Sequence, residues 1–273
     1  MRRRGFTLVE MIVVLVAISV AAHLAVRSFS RTADGRRARA ADAQLAAVRD
    51  AVWHLGADGE PCGFLADVGR PPRTADGTLC ELWERPADCV AHTLVAATSS
   101  GLRCAAADRA ELDDAGVFVP CGWRGPYLEL PPFADRLRDP WGNPVETPDA
   151  AGLSRVLSSN GFLRAVAHFG PEAKAAGERS LEALPPGGAN CCSLAVMPEF
   201  AAGFSGEISY RLYWPCGDCA TGAVVRASYP AAALFEGLPP GVKILKDSAT
   251  GVARRIVTRP GGNTFRLAGG ETR

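Results

Sequence analysis

The sequence predicts an α+β protein: a long N-terminal helix, an antiparallel sheet packed on the helix's outer half, and a further β-rich region towards the C-terminus. Three patterns carry this reading. Residues 6–26 form an apolar run long enough to cross a membrane. Residues 36–55 are rich in Ala, Arg and Leu, and set Leu45, Val48, Val52 and Leu55 at spacings of three, four and three, one face of a helix. Beyond residue 190, short β-type runs recur between Gly- and Pro-rich turns, at 193–197, 206–214, 222–229, 242–246, 253–258 and 263–267.

The first element opens with Arg2, Arg3 and Arg4, then Gly5, then the apolar run from Phe6 to Val26, which contains Glu10. At about 1.5 Å per residue the run is roughly 30 Å long, the thickness of a bilayer's hydrocarbon. The leading arginines favour a cytoplasmic N-terminus, with the remaining chain outside. An ordinary uncleaved anchor, or a secretory peptide cut near Ala21 and Ala22, accounts for the arginines and the apolar run but not for Glu10. An ionised side chain costs roughly 2.5–3.5 kcal/mol at the centre of a membrane helix on insertion scales, so Glu10 calls for a purpose. The basic leader, the Gly, the Phe and a Glu at the fifth position after that Gly resemble the class III signal of type IV pilins and pseudopilins. The resemblance implies that a prepilin peptidase cuts after Gly5 and methylates the new N-terminus at Phe6. It also implies that Glu10 pairs with the N-terminal amine of an adjacent subunit. A charge that is costly alone in lipid becomes tolerable in such a pair, which favours assembly and fixes its register. His23, near the outer end of the run, reads as an interfacial residue.

The helix is expected to continue through 27–55. Asp34-Gly35 predicts a kink or local melting near the membrane surface. Gly56 is the expected C-cap, and Gly59 and Pro61 close the element. The stripe from Leu45 to Leu55 reads as core packing against a globular domain.

About 245 of the 273 residues follow the apolar run, enough for one large or two small domains with real cores. With 48% hydrophobic residues, a net charge of +1 and scattered arginines, nothing points to nucleic acid as a partner. Nine cysteines (Cys62, Cys80, Cys89, Cys104, Cys121, Cys191, Cys192, Cys216 and Cys219) in a chain exported by its own leader read as disulfide stapling. Five fall in 62–121 and four in 191–219, which suggests two separately stapled regions. The turn-rich segment 56–115 reads as a cysteine-stapled insertion with helical patches at 79–85 and 88–97.

Residues 122–147, GWRGPYLELPPFADRLRDPWGNPVET, carry the second informative motif. Physically, DPWGNP is a turn leading into a strand. Pro140 fixes φ, Gly142 and Asn143 tolerate the left-handed region, and Pro144 blocks a helix. Trp141 offers a large apolar surface to the sheet. The strings containing Gly125, Pro126, Tyr127 and then Asp139, Pro140, Trp141, Gly142, Asn143, Pro144 are similar to the GPYL…DPWGNPY block of the major (G-type) pseudopilin of type II secretion. Val145 stands where that family often has Tyr. SRVLSSNGFL, residues 154–163, is similar to the strand and loop that follow, with Asn160-Gly161 where Asp-Gly is usual. In many G-type pseudopilins the loop before that Asp binds calcium. Here Glu146, Asp149, Ser158, Asn160 and backbone carbonyls are the available oxygens, and only two of these side chains are acidic. Calcium takes six to eight oxygens, typically with several carboxylates, so an Asx-turn at Asn160-Gly161 is the simpler reading. No other cofactor is called for.

A typical G-type subunit would end soon after this loop, whereas this chain runs on for over a hundred residues. Residues 165–190 suggest a short helix near 171–183 and a loop. In 206–214, Ile208, Tyr210, Leu212 and Trp214 alternate as a half-buried strand. Residues 260–263, PGGN, read as a hairpin turn. The whole reads as a small antiparallel sheet appended to, or extending, the pilin-type sheet. Cys216 and Cys219 form a C-x-x-C flanked by Pro215 and Gly217. That setting suits a turn between strands better than the helix N-terminus of a redox dithiol or a zinc knuckle. Structural disulfides, for instance from Cys216 or Cys219 to Cys191 or Cys192, are the simplest use.

The chain thus divides into a leader (1–5), a membrane helix (6–26), its amphipathic continuation (27–55), a pseudopilin-like domain with a Cys-rich insertion (56–163) and an extra β-rich region (164–273). The resemblance implies a structural, non-enzymatic subunit of a filament. It would be anchored once in the bacterial inner membrane with its C-terminal domain in the periplasm. Its partners would be other pseudopilins, the prepilin peptidase and an inner-membrane assembly platform. A minor type IV pilin serving adhesion, DNA uptake or pilus assembly is the alternative, and a thiol-redox enzyme using Cys216 and Cys219 a third reading.

Overall fold

The structure is a computed structural model that describes residues 8–73, 79–104, 106–142, 144–146, 156–158, 179–181, 183–200, 204–217 and 219–268. Helix α1 runs from Leu8 to Val52. It passes through Gly35 without a break, because a single Gly costs about 1 kcal/mol and its Ala- and Arg-rich flanks favour the helix. The helix ends four residues before Gly56. His54–Leu55 (β1) pairs with Pro61–Cys62 (β2), and Gly56 lies in the turn between them, its N–H donating to Glu60 O at 2.8 Å. Gly63 sits hard against the helix end. A Cβ there would lie 2.9 Å from Val52 O and 3.0 Å from Ala51 O, and its φ of +100° also favours glycine.

Phe64–Val68 forms α2, and Gly69 caps it in the left-handed conformation. A 3₁₀ turn at Cys80–Leu82 falls within the first predicted helical patch. The second patch is instead strand β3 (Thr93–Ala97), where β-branched Thr93 and Val95 suit pairing over helix. A helix α3 (Ala106–Leu112) and strand β4 (Asp114–Cys121) follow, and β4 pairs antiparallel with β3. Three short strands, β5 (Val145–Glu146), β6 (Val156–Ser158) and β7 (Arg179–Leu181), form an antiparallel sheet. Strands β6 and β7 lie against the outer half of α1. The helical patch expected near 171–183 falls mostly outside the described residues; within it, 179–181 is β7.

The remaining strands are β8 (Cys192–Glu199), β9 (Glu207–Cys216), β10 (Cys219–Ser228), β11 (Ala233–Leu238), β12 (Gly241–Asp247), β13 (Ala253–Thr258) and β14 (Gly261–Ala268). They make two sheets, ordered β10-β9-β12-β13 and β11-β8-β14. The pairing of β14 with β8 is parallel, so the tail is not wholly antiparallel. The predicted hairpin at 260–263 is a crossing instead. The chain leaves β13 in one sheet and enters β14 in the other, where Gly261 N–H donates to Cys191 O at 3.1 Å.

Three apolar clusters hold these parts together. Leu45, Val48, Ala51 and Val52 of α1 pack with Phe64, Val68, Leu79, Leu82, Leu137 and Val145. Leu194, Val196, Ile208, Tyr210, Leu212, Phe235, Leu245 and Leu267 fill the space between the two tail sheets, making a β-sandwich. Leu102, Leu112, Val117, Val119, Cys121, Tyr213 and Ala220 join β3–β4 to the other face of β9 and β10. The central sheet is therefore covered on both faces near Tyr213. This is why β9 buries Leu212 and Tyr213 side by side instead of alternating.

Candidate assembly segment

Leu8 to Phe29 forms a 22-residue span of mean hydropathy 2.4, none of it covered by the rest of the chain. Leu8, Val9, Leu15, Ile18, Leu24 and Phe29 all stand exposed along it. Burying this surface requires lipid or other helices. Glu10 lies in the first turn and is exposed with its apolar neighbours. Gly5 and Phe6 lie outside the described residues. Arg27, Arg36, Arg37 and Arg39 are exposed at and beyond the outer end of the span.

The outer half of α1 has a different surface. Ala41, Leu45, Val48, Ala51 and Val52 are buried, in line with the predicted stripe, while Leu55 has left the helix and is half exposed. Tyr127 lies in the adjoining core. Its N–H donates to Leu82 O at 2.8 Å, its hydroxyl donates to Asp67 at 3.0 Å, and the same hydroxyl accepts the Arg124 N–H at 2.9 Å. Its ring meets Phe64 and Trp123 edge-on, with centroids 5.6 and 5.9 Å away. Gly125 lies against the Trp123 and Tyr127 rings, where a Cβ would stand 2.6 Å from Trp123 and 2.8 Å from Tyr127. Burial pushes the Asp67 carboxyl up despite Arg124 and Tyr127, and the same burial pushes the Tyr127 phenol up.

The Asp139–Pro140–Trp141–Gly142 segment forms a turn beside α1. Gly142 N–H donates to Asp139 O at 2.8 Å, Trp141 N–H donates to the Asp139 carboxylate at 3.0 Å, and Gly142 has φ +90°. Gln44 of α1 donates to Arg138 O at 2.7 Å, tying the turn to the helix. Pro144 bridges back to Arg138, and Val145 continues into β5. Trp141 itself is half-buried, and the indole packed against the core is that of Trp123, which donates to Glu81 O at 2.9 Å. Asn143 lies outside the described residues.

Of the calcium candidates, Asp149 and Asn160 lie outside the described residues, and Ser158 is the last residue of β6. Among the described residues, no group of three or more His, Cys, Asp or Glu is placed to hold a metal ion.

The nine cysteines stand as separate thiols. Cys191 and Cys192 are neighbours at the start of β8, their sulfurs 3.9 Å apart. Cys216 and Cys219 close the β9–β10 hairpin and are opposite each other in register. Burial raises the thiols of Cys121 and Cys192 to about 12, so neither is a ready nucleophile.

Sequence reasoning missed the polar network that joins the anchor-bearing part to the sandwich. Arg255 of β13 pairs bidentately with Glu60 at 3.0 and 2.7 Å, and Arg259 donates to Gly59 O at 2.7 Å. Lys246 bonds to Asp114, and Arg226 to Glu111 at 2.9 and 2.8 Å. A cleft of about 290 Å³ opens at this junction, lined among others by Asp67, Arg124, Tyr127, His54, Cys62 and Arg255. Partners nearly two hundred residues apart, such as Glu60 and Arg255, leave no local signal in a single sequence.

Residues 1–26 match the family model for the prokaryotic N-terminal methylation motif. No curated protein matches the chain.

Proposed function

We propose that this protein is a pseudopilin-like structural subunit of a periplasmic filament that drives protein secretion, held in the inner membrane by α1 until it assembles. The observation that carries the reading is the methylation motif at 1–26 coinciding with an apolar, uncovered helix that bears Glu10 in its first turn. Cleavage after Gly5 frees an amine on Phe6. In a helix bundle that amine meets a neighbour's Glu10, and the pair carries no net charge, which offsets the cost of holding either group in lipid. Packing of the apolar spans then forms the filament core, with the domains beyond residue 40 displayed on its surface. A cytoplasmic ATPase and a membrane platform supply subunits, as the resemblance implies. The GPYL and DPWGNP strings favour the secretion filament over a surface pilus.

Glu10→Ala separates processing from assembly. The variant should be shortened in cells as wild type is, because the peptidase reads the leader, yet be absent from cross-linked or sheared filament fractions. Normal assembly of Glu10→Ala would remove the pairing step. A wild-type chain that keeps its first five residues would overturn the reading as a whole.

A minor type IV pilin is the second reading, and the seven-stranded sandwich favours it, since a displayed domain of this kind suits a binding role at a filament tip. Surface pili lost on deletion, with secretion intact, would select it.

A further inference from the structure

The tip of the β9–β10 hairpin collects sulfur. Cys216 and Cys219 are directly opposed across the two strands, with two residues between them, and Gly217 turns the chain with φ +70°. Directly opposed antiparallel residues have Cα atoms about 4.5–5.5 Å apart with side chains on one face of the sheet, and disulfides span Cα separations of about 4.4–6.8 Å. The Cys219 thiol donates to the backbone carbonyl of Cys216 at 3.0 Å, so its sulfur lies on the side of the opposed residue. Two more thiols border the tip. Cys121 accepts the Cys216 backbone N–H, and the Cys89 sulfur lies 4.0 Å from where a Cβ on Gly217 would stand.

The tip is also a docking point. Gly217 N–H donates to Val68 O at 2.8 Å, and the Pro215 carbonyl lies directly under Gly69, the cap of α2. The hairpin end thus shares with β12, whose Gly241 lies against Ala66, the contact between α2, which packs on the anchor helix, and the sandwich.

We propose that Cys216 and Cys219 form a disulfide that closes the hairpin and fixes the surface on which α2 sits. Two S–H bonds break and one S–S bond forms. The two protons and two electrons pass to a disulfide-bearing oxidant, which is reduced to its dithiol. The Cys121 thiol also lies near that of Cys216 and is the rival partner; direct cross-strand opposition favours Cys219, and peptide mapping separates the two. In cells the step rests on the exported location proposed above, because only an oxidising compartment sustains it.

The test is peptide mapping of the full-length protein, acid-quenched, alkylated without reductant and digested with trypsin. Both cysteines fall in the peptide 212–226, and Cys121 falls in 110–124. The expected result is a 212–226 peptide that takes no alkyl group and is two hydrogens lighter than the dithiol, then takes two alkyl groups after reduction. A 212–226 peptide cross-linked to 110–124, or to the peptide holding Cys89, would overturn the pairing. A parallel arm treats the purified, reduced protein with glutathione disulfide in detergent. Ring closure there with both thiols alkylated in cells supports the pairing and counts against the exported location. Failure to close in detergent overturns the proposal. Cys216→Ser should leave Cys219 fully alkylatable, and protection of Cys219 in that variant would also sink it.

Discussion

Lys243 brings a primary amine into the space between the two tail sheets, where it is wholly buried. It lies on the inward-facing row of β12 two residues from Leu245, donates to Gly241 O at 3.3 Å, and has Cys191 and Cys192 nearby. Burial pulls its ammonium down to about 7, and the neighbouring thiols only partly oppose this. The unfolded chain binds that proton up to a pH of about 10.5, whereas the folded protein releases it near 7. Between those values the unfolded state holds more protons, so stability rises with pH across this window and levels off below it. The burial costs roughly 3–6 kcal/mol at neutral pH. Lys243→Met should therefore raise stability at pH 7 by a few kcal/mol and flatten the profile between pH 7 and 10. Urea denaturation of both proteins at pH 7 and 9.5 checks this; a variant no more stable than wild type would show that the amine reaches water. Gly69 makes the opposite case. A Cβ there would lie 1.9 Å from the Pro215 carbonyl oxygen, at φ +78°. Gly69→Ala should cost at least about 2–3 kcal/mol by displacing α2 from the hairpin. Thermal unfolding reads it directly, and an unchanged midpoint would mean that the contact is soft.

At the scale of elements, α1 is one helix with two surfaces. Leu45 is 2% exposed in the α1 core, while Leu15 is 61% exposed on the apolar span. Leu45→Ala should destabilise the globular part by about 2–5 kcal/mol, and Leu15→Ala should leave it unchanged. Chemical denaturation in detergent distinguishes them. This division was legible in the sequence, because a 3.6-residue stripe and an unbroken apolar run have different periods. The helix end was not. Gly56 looked like the cap, but the chain turns at Val52 because Gly63, eleven residues on, packs against its last carbonyls. The inner face of β9 was legible from its alternation, yet Tyr213 was not, since its burial depends on β4, far away in sequence. The turn at 260–263 was visible, but whether a turn returns to its own sheet or crosses to another is decided by what β8 offers as a partner. For the candidate assembly segment, the leader motif and the apolar span could be read locally. The ties between anchor and sandwich could not.

At the scale of the whole molecule, the sandwich is not a freely hinged appendage. Strands β3 and β4 precede the β5–β7 sheet in sequence, but they pack their Val117 and Val119 face against Tyr213 and Ala220 of the tail. Leu102 bridges to Ala220, with Ala220 N–H donating to Gly101 O at 2.9 Å. Lys246–Asp114 and Arg226–Glu111 close the same seam. Partly exposed pairs of this kind contribute little each, so the apolar cluster is the main term. A force applied along α1 would then reach the sandwich through this seam, the hairpin tip and the Glu60–Arg255 and Gly59–Arg259 ties together. A chain ending after residue 190 would leave Leu112, Val117, Val119 and Cys121 facing water. Such a truncation should still insert through α1, because that span touches nothing in the tail. Its 93–121 segment should become sensitive to protease within the time the full chain resists, and its denaturation should lose the cooperativity of the full chain. Limited proteolysis of both proteins in membranes, followed by mass mapping, reads the outcome. A truncated chain with 93–121 as protected as in the full protein would mean that the anchor-bearing part folds alone and the sandwich is only tethered to it.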